Sequence, residues 1–197
     1  RAGLVVRGPV EMDAAPLVLR DAHGEVEIHA VPYAEPALVR SASGDDTIAD
    51  HHAALAAQTA AVRAARAPGR RAVVVAHAFV QGGAESESER PLSVGGSGAV
   101  GAEVFEGFDY VALGHLHRPQ AVGGARIQYS GSLLKYSFAE ADHAKSVNLV
   151  EMDAAGNCTV ERIALVPRRD LRILEGELAA LVAAAASDPA RDDYLLA

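Results

Sequence analysis

The chain has 197 residues, half of them apolar and 22% charged, with a formal net charge of −8 and a single cysteine, Cys158. That length holds one domain with a sizeable core, or one domain and the start of a second, in an ordinary globular composition. One cysteine excludes an internal disulfide framework and points to a reducing cytoplasm. No apolar run approaches the roughly 18–20 residues that cross a bilayer, so no membrane association is expected. The acidic balance argues against a protein that holds nucleic acid by a basic surface, but leaves room for phosphate chemistry in which metal ions supply the positive charge.

The chain opens at Arg1-Ala2-Gly3-Leu4 without a charged-then-apolar leader and runs at once into Leu4-Val5-Val6. It closes at Asp192-Asp193-Tyr194-Leu195-Leu196-Ala197 in what reads as an apolar helical pattern, so a fragment at both ends is expected. Leu17-Val18-Leu19 and Val26-Glu27-Ile28-His29-Ala30-Val31 read as strands around the turn Asp21-Ala22-His23-Gly24. Pro32 and Pro36 then stop regular pairing. Residues 47–66 predict the clearest helix, with Thr47 and Asp50 as a capping pair, many alanines, and Pro68-Gly69 as its end. Ala72-Val73-Val74-Val75-Ala76 is an apolar, β-branched run expected to be a strand buried on both faces, and Tyr110-Val111-Ala112-Leu113 before Gly114 is a second. Helix and doubly buried strands together predict an α/β layered core. Ala121-Val122 and Arg126-Ile127-Gln128-Tyr129 flank Gly123-Gly124 as a hairpin. Residues 146–152 and 158–166 flank Asp153-Ala154-Ala155-Gly156-Asn157 as another, and residues 173–186 read as a helix that opens a new unit.

Each apolar run ends at a metal-capable residue: Ala76 gives way to His77, and Leu113 to Gly114-His115-Leu116-His117-Arg118-Pro119. In open α/β sheets, ligands collect outside the carboxyl ends of the strands, so two strands that both deliver histidine there suggest one shared site. His-x-His places two imidazoles on one side of an extended segment, from which a loop can splay them to two ions roughly 3.5–4 Å apart. Gly114 suits a tight backbone turn before the ligands. The competing reading is structural, since one histidine at a strand end is more often a hydrogen-bonded residue than a ligand. His51 and His52, in the alanine-rich helix, read as surface residues; His23, His29 and His143 read as structural or solvated. The run Glu85-Ser86-Glu87-Ser88-Glu89-Arg90 reads as a solvated loop.

Gly114-His115-Leu116-His117 after Phe108-Asp109-Tyr110-Val111-Ala112-Leu113 resembles the last metal motif of calcineurin-like metallophosphoesterases. His77 after Val73-Val74-Val75-Ala76 resembles that superfamily's preceding single-histidine motif, and Tyr129-Ser130-Gly131-Ser132 its Gly-Ser turn. Finer features resemble the SbcD family, bacterial relatives of the Mre-type repair nucleases. These are Ala76-His77-Ala78-Phe79-Val80, the Glu85 to Arg90 loop, Val94-Gly95-Gly96, Phe108 through Gln120, Ser130 through Phe138, and Val166-Pro167-Arg168-Arg169. The likeness runs from Val26 to the C-terminus and is most specific between His77 and Phe138.

The resemblance implies a layered metallophosphoesterase sandwich lacking its N-terminal half, with residues 1–167 its C-terminal part and residues 168–197 the start of an α+β capping region that engages DNA. It implies a two-ion Mn2+ site in which His77 and His115 bind one ion and His117 the other. Gly131, Ser132, Arg118 and Lys135 would lie near substrate, with Ser132 a turn residue, and Arg118, Lys135 and Lys145 are candidates for DNA phosphate contact. The loop from Glu85 would border the site's mouth. The family's earlier motifs, Asp-x-His, Gly-Asp-x-x-Asp and Gly-Asn-His-Asp, are absent; they carry the bridging aspartate and the proton-donating histidine. Three imidazoles without a bridging carboxylate are too few for two manganese ions, so the chain alone is expected to be inactive. Implied partners are DNA and the SbcC ATPase subunit, in a heterotetramer built on a homodimer. The alternatives are a metallophosphoesterase of nucleotides or small phosphoesters, and a non-catalytic partner-binding module.

Overall fold

The structure, a computed structural model, describes residues 3–89 and 98–197; Arg1, Arg90 and the stretch Val94-Gly95-Gly96 lie outside them. The first hairpin forms as the turn residues require. Strands β1 (Leu17–Asp21) and β2 (Gly24–Val31) pair antiparallel, with Gly24 at φ 108° and the Asp21 carboxylate accepting the His23 amide at 2.7 Å. The Asp21 carboxyl, hydrogen-bonded by Arg71, is held down at about 2.

Two helices follow where one was expected. Helix α1 (Pro36–Ser43) starts on its proline and ends at Gly44, φ 72°, whose N–H donates to the Arg40 carbonyl. Proline has no N–H to lose in a first turn and its φ suits it, so Pro36 begins a helix here instead of only ending a strand. Helix α2 (His51–Ala65) is shorter than the 47–66 expected: Asp50 is its cap, accepting the Ala53 amide at 2.8 Å. Thr47 instead closes a turn on Asp45, through its amide at 2.9 Å and its hydroxyl at 2.6 Å.

Strand β3 (Arg71–His77) runs into β4 (Phe79–Val80), which pairs with β5 (Ala99–Val100); a 3-10 turn (Ala102–Phe105) leads to β6 (Tyr110–Gly114). β7 (Gln120–Ala121) and β8 (Ile127–Tyr129) form the expected hairpin. The result is a mixed α/β fold on a six-stranded sheet of order β1-β2-β3-β6-β8-β7, parallel from β2 through β8 with antiparallel strands at both edges.

Register sorts the residues. His29, Val74, Val111 and Ile127 share one face, as do Val31, Ala76, Leu113 and Tyr129; all eight are buried, and the seven other than His29 form one apolar core with Leu55 of α2. The opposite face is only partly covered. Val75 is 44% exposed, so β3 is not buried on both faces as its composition suggested. Its cover is the second hairpin, β9 (Ser146–Met152) with β10 (Cys158–Ala164). That hairpin packs toward β6 and β8, where Arg162 bonds Gln128 and Cys158 Sγ lies 3.8 Å from the Asp109 carbonyl. Its turn meets the start of β3, where Arg71 donates to the Asp153 carbonyl at 3.4 Å.

Beyond residue 167, β11 (Leu171–Ile173) and β12 (Tyr194–Leu196) pair in parallel around α3 (Leu178–Ala185). The helix expected over 173–186 therefore starts at Leu178, and the last residues are a strand, not a helical pattern. Arg172 is the cause: it holds Asp188 at 2.6 Å and Asp193 at 2.8 Å, drawing the tail alongside β11. Among the described residues no helix is long and apolar enough to cross a membrane.

Candidate functional site

Parallel neighbours leave a sheet at the same edge, and this places the first two histidines. His77 ends β3 and pairs in register with Gly114, the end of β6, so His115 emerges beside it. The two rings stand edge to face with centroids 5.4 Å apart. A Cβ on residue 114 would sit 3.0 Å from His77 Nδ1, so glycine is what lets β6 pass the ring. His115 has φ 111°, the one positive φ on a non-glycine among the described residues. Such a backbone costs about 1–3 kcal/mol and clusters at sites where geometry matters more than stability. Phe79 (6.1 Å from His115) and Tyr33 (6.3 Å from His77) complete the ring cluster. Burial lowers the basicity of both imidazoles, and for His115 the neighbouring His77 lowers it further. Neutral imidazoles are the form that binds metals.

His117 is held differently. Its backbone N–H donates to Glu89 Oε1 at 2.7 Å, and its Nδ1 lies 2.8 Å from Glu140 Oε1 and 3.2 Å from Ser88 Oγ. Glu140 is fully buried and also accepts from Lys145 Nζ at 2.6 Å, the Tyr136 amide at 3.3 Å and the Ser88 hydroxyl. Burial alone would raise its pKa, but the hydrogen bonds from Lys145, Ser88 and His117 outweigh that and hold it at about 2. Lys145 also donates to the His117 carbonyl at 2.9 Å and to Ser132 Oγ at 2.8 Å. Gly131 (φ 80°) closes against this loop, where a Cβ would meet the His117 carbonyl at 2.7 Å; the Ser132 amide donates to the same carbonyl at 3.1 Å. Gly131 and Ser132 thus buttress the His117 backbone.

The candidate cations are already engaged. Arg118 pairs with Asp142 at 2.9 Å, Lys135 with Asp170 at 3.0 Å, and Lys145 with Glu140. His51 is not the surface residue expected: its side chain is 14% exposed, stacks on Tyr33 and lies 2.9 Å from the Tyr33 hydroxyl. His51, Tyr33 and His77 line a cavity of about 20 Å³, room for a water but not for a nucleotide. His52 is more open and accepts the Gly101 amide; His23 is exposed; His29 and His143 are buried and structural. The loop read as solvated is not wholly so, since Ser88 and Glu89 grip His117.

Glu140 and Tyr33 carry no motif or periodicity that marks them as site residues, and Ser88 and Glu89 are marked only as part of the loop over residues 85–90; folding is what brings all four to the histidines. Among the described residues no group of three or more His, Cys, Asp or Glu is arranged to hold one ion. What is assembled is a pair, His77 with His115, plus a third histidine whose Nδ1 faces a buried carboxylate. Metal-bound imidazoles usually donate their other N–H to such a carboxylate, so the donors fit part of a metal centre. No protein-family model matches the chain.

Proposed function

We propose that the chain is the C-terminal part of a two-metal phosphoesterase domain of the calcineurin-like type. Within that class, its motifs are most similar to SbcD, the nuclease subunit that acts with the SbcC ATPase on DNA. The observation that carries this reading is the His77–His115 ring pair, 5.4 Å apart at the carboxyl ends of adjacent parallel strands, with His117 two residues on. His77 and His115 would hold one Mn2+ and His117 a second, with the missing carboxylates supplied by a preceding segment of a longer protein. When bound, such ions polarise phosphate oxygens and lower the pKa of bound water. The chain's own residues would orient the donors: Gly114 makes room for the His77 ring, Glu140 and Lys145 hold His117, and the Gly131–Ser132 turn braces its backbone.

The test is Mn2+-dependent cleavage of a DNA hairpin by the longer protein, with a chromogenic phosphodiester alongside. His115→Ala should lower the rate by more than about 100-fold, since even supporting residues of metal sites cost about 10–100-fold, whereas His29→Gln should leave it unchanged. Full activity in His115→Ala would refute the assignment. The pairing of Arg118, Lys135 and Lys145 with acids favours a second reading, a small phosphoester as substrate. That reading gains if only the chromogenic substrate is cleaved.

A further inference from the structure

We infer that Glu140 is the positioning residue for His117, fixing the tautomer in which Nδ1 carries the proton and Nε2 offers its lone pair. An ionised carboxylate can only accept hydrogen bonds, so an imidazole nitrogen 2.8 Å from Glu140 Oε1 must be the protonated one. In the neutral ring, Nε2 then carries no proton and keeps its lone pair free. The neighbouring groups admit no other arrangement. Ser88 donates its hydroxyl to the same oxygen, and the second oxygen takes Lys145 Nζ and the Tyr136 amide, so the carboxylate has no role left except acceptor.

Stability does not explain this pair. A fully buried Glu–Lys pair costs so much desolvation that apolar residues of the same shape often serve the fold as well or better. Here both members converge on one residue instead: Glu140 takes the His117 ring and Lys145 takes its carbonyl. Side chain and backbone of His117 are thereby tied to a single rigid point that closes a 3-10 turn (Phe138–Glu140). The consequence for a metal rests on the proposed function above; the tautomer itself rests on the geometry alone.

Two double variants isolate the acceptor, with the tautomer read in the 197-residue chain and Mn2+ affinity in the longer protein proposed above. Glu140→Gln with Lys145→Met keeps an oxygen facing His117 and removes both charges, while Glu140→Met with Lys145→Met removes the oxygen as well. The two differ by little in shape, and neither leaves a buried charge unpaired. Long-range proton–nitrogen NMR of 15N-histidine-labelled protein reads the tautomer, and calorimetric titration with Mn2+ reads affinity. The wild type and the Gln variant should show His117 protonated at Nδ1. The Met variant should shift toward Nε2 protonation, the form free histidine favours, and bind Mn2+ about 10–100-fold more weakly than the Gln variant. A wild-type His117 protonated at Nε2, or a tautomer unchanged in the Met variant, would overturn the inference. A tautomer that shifts as stated with no Mn2+ binding in any form would uphold the positioning role and overturn the metal reading.

Discussion

Replacing Tyr129 by phenylalanine deletes one oxygen, yet the structure makes that oxygen the tie between the sheet and the loop after His77. Tyr129 is fully buried at the end of β8; its hydroxyl donates to the Ala78 carbonyl at 2.6 Å and accepts the Val80 amide at 2.9 Å. Ala78 and Val80 are themselves buried, so no water replaces what is lost. Each hydrogen bond contributes about 1 kcal/mol net, and a buried backbone group left unpaired costs about 1–3 kcal/mol. The ring's shape is kept, so no cavity adds to this. The expected loss for the two groups is about 2–6 kcal/mol, read as a lower urea midpoint at unchanged slope, or a fall in Tm of about 4–24 °C for a chain of this size. Tyr136→Phe, at a residue 68% exposed, is the control and should stay within about 0.5 kcal/mol. A loss below about 0.5 kcal/mol for Tyr129→Phe would show that the two backbone groups find other partners and that the tie is not real. Because Phe79 sits between those groups and packs on His115, the same variant should also broaden the His77 and His115 imidazole resonances.

The remaining expectations concern a cap and the response to acid. Asp50→Ala should destabilise the chain by about 1 kcal/mol through loss of the α2 cap, whereas Thr47→Ala should cost clearly less; equal losses in urea titrations would restore the longer helix. His29, His77, His115 and His143 all have basicity lowered by burial, so the unfolded chain binds protons that the folded chain refuses. Their stabilisation is present above pH 6.5 and is lost as pH falls below it, through their lowered folded-state values. Glu140 and Asp21, both held at about 2, add a later loss that begins near their ordinary values of 4.5 and 3.8. Urea midpoints from pH 8 to 3 should fall in these two stages, and His29→Gln should shrink the first; a midpoint flat from pH 8 to 5.5 would contradict the buried neutral histidines.

Much of the fold could be read locally. Turn chemistry at Asp21–Gly24, Gly123-Gly124 and Asp153–Asn157 placed three hairpins, and β-branched runs placed β3 and β6, because these signals act within a few residues. The misses share a different cause. Asp50 rather than Thr47 caps α2 because Asp45 captures Thr47 first, and residues 194–196 become a strand because Arg172, some twenty positions earlier, draws Asp193 to it. Both are competitions between partners, which a local pattern does not rank.

The histidine motifs behave in the same way. His77, His115 and His117 stand out in the chain because each follows an apolar run, and residue type and spacing alone mark them as donors. What the tertiary structure decides is which donors meet. Parallel pairing of β3 with β6 sets His77 against His115, while a buried acid 23 residues downstream of His117 turns its ring to another partner. Apolar patterning is written along the chain because burial acts on each residue separately. A hydrogen-bonded constellation is a property of several residues at once, and it exists only after the backbone has brought them within 3 Å of one another.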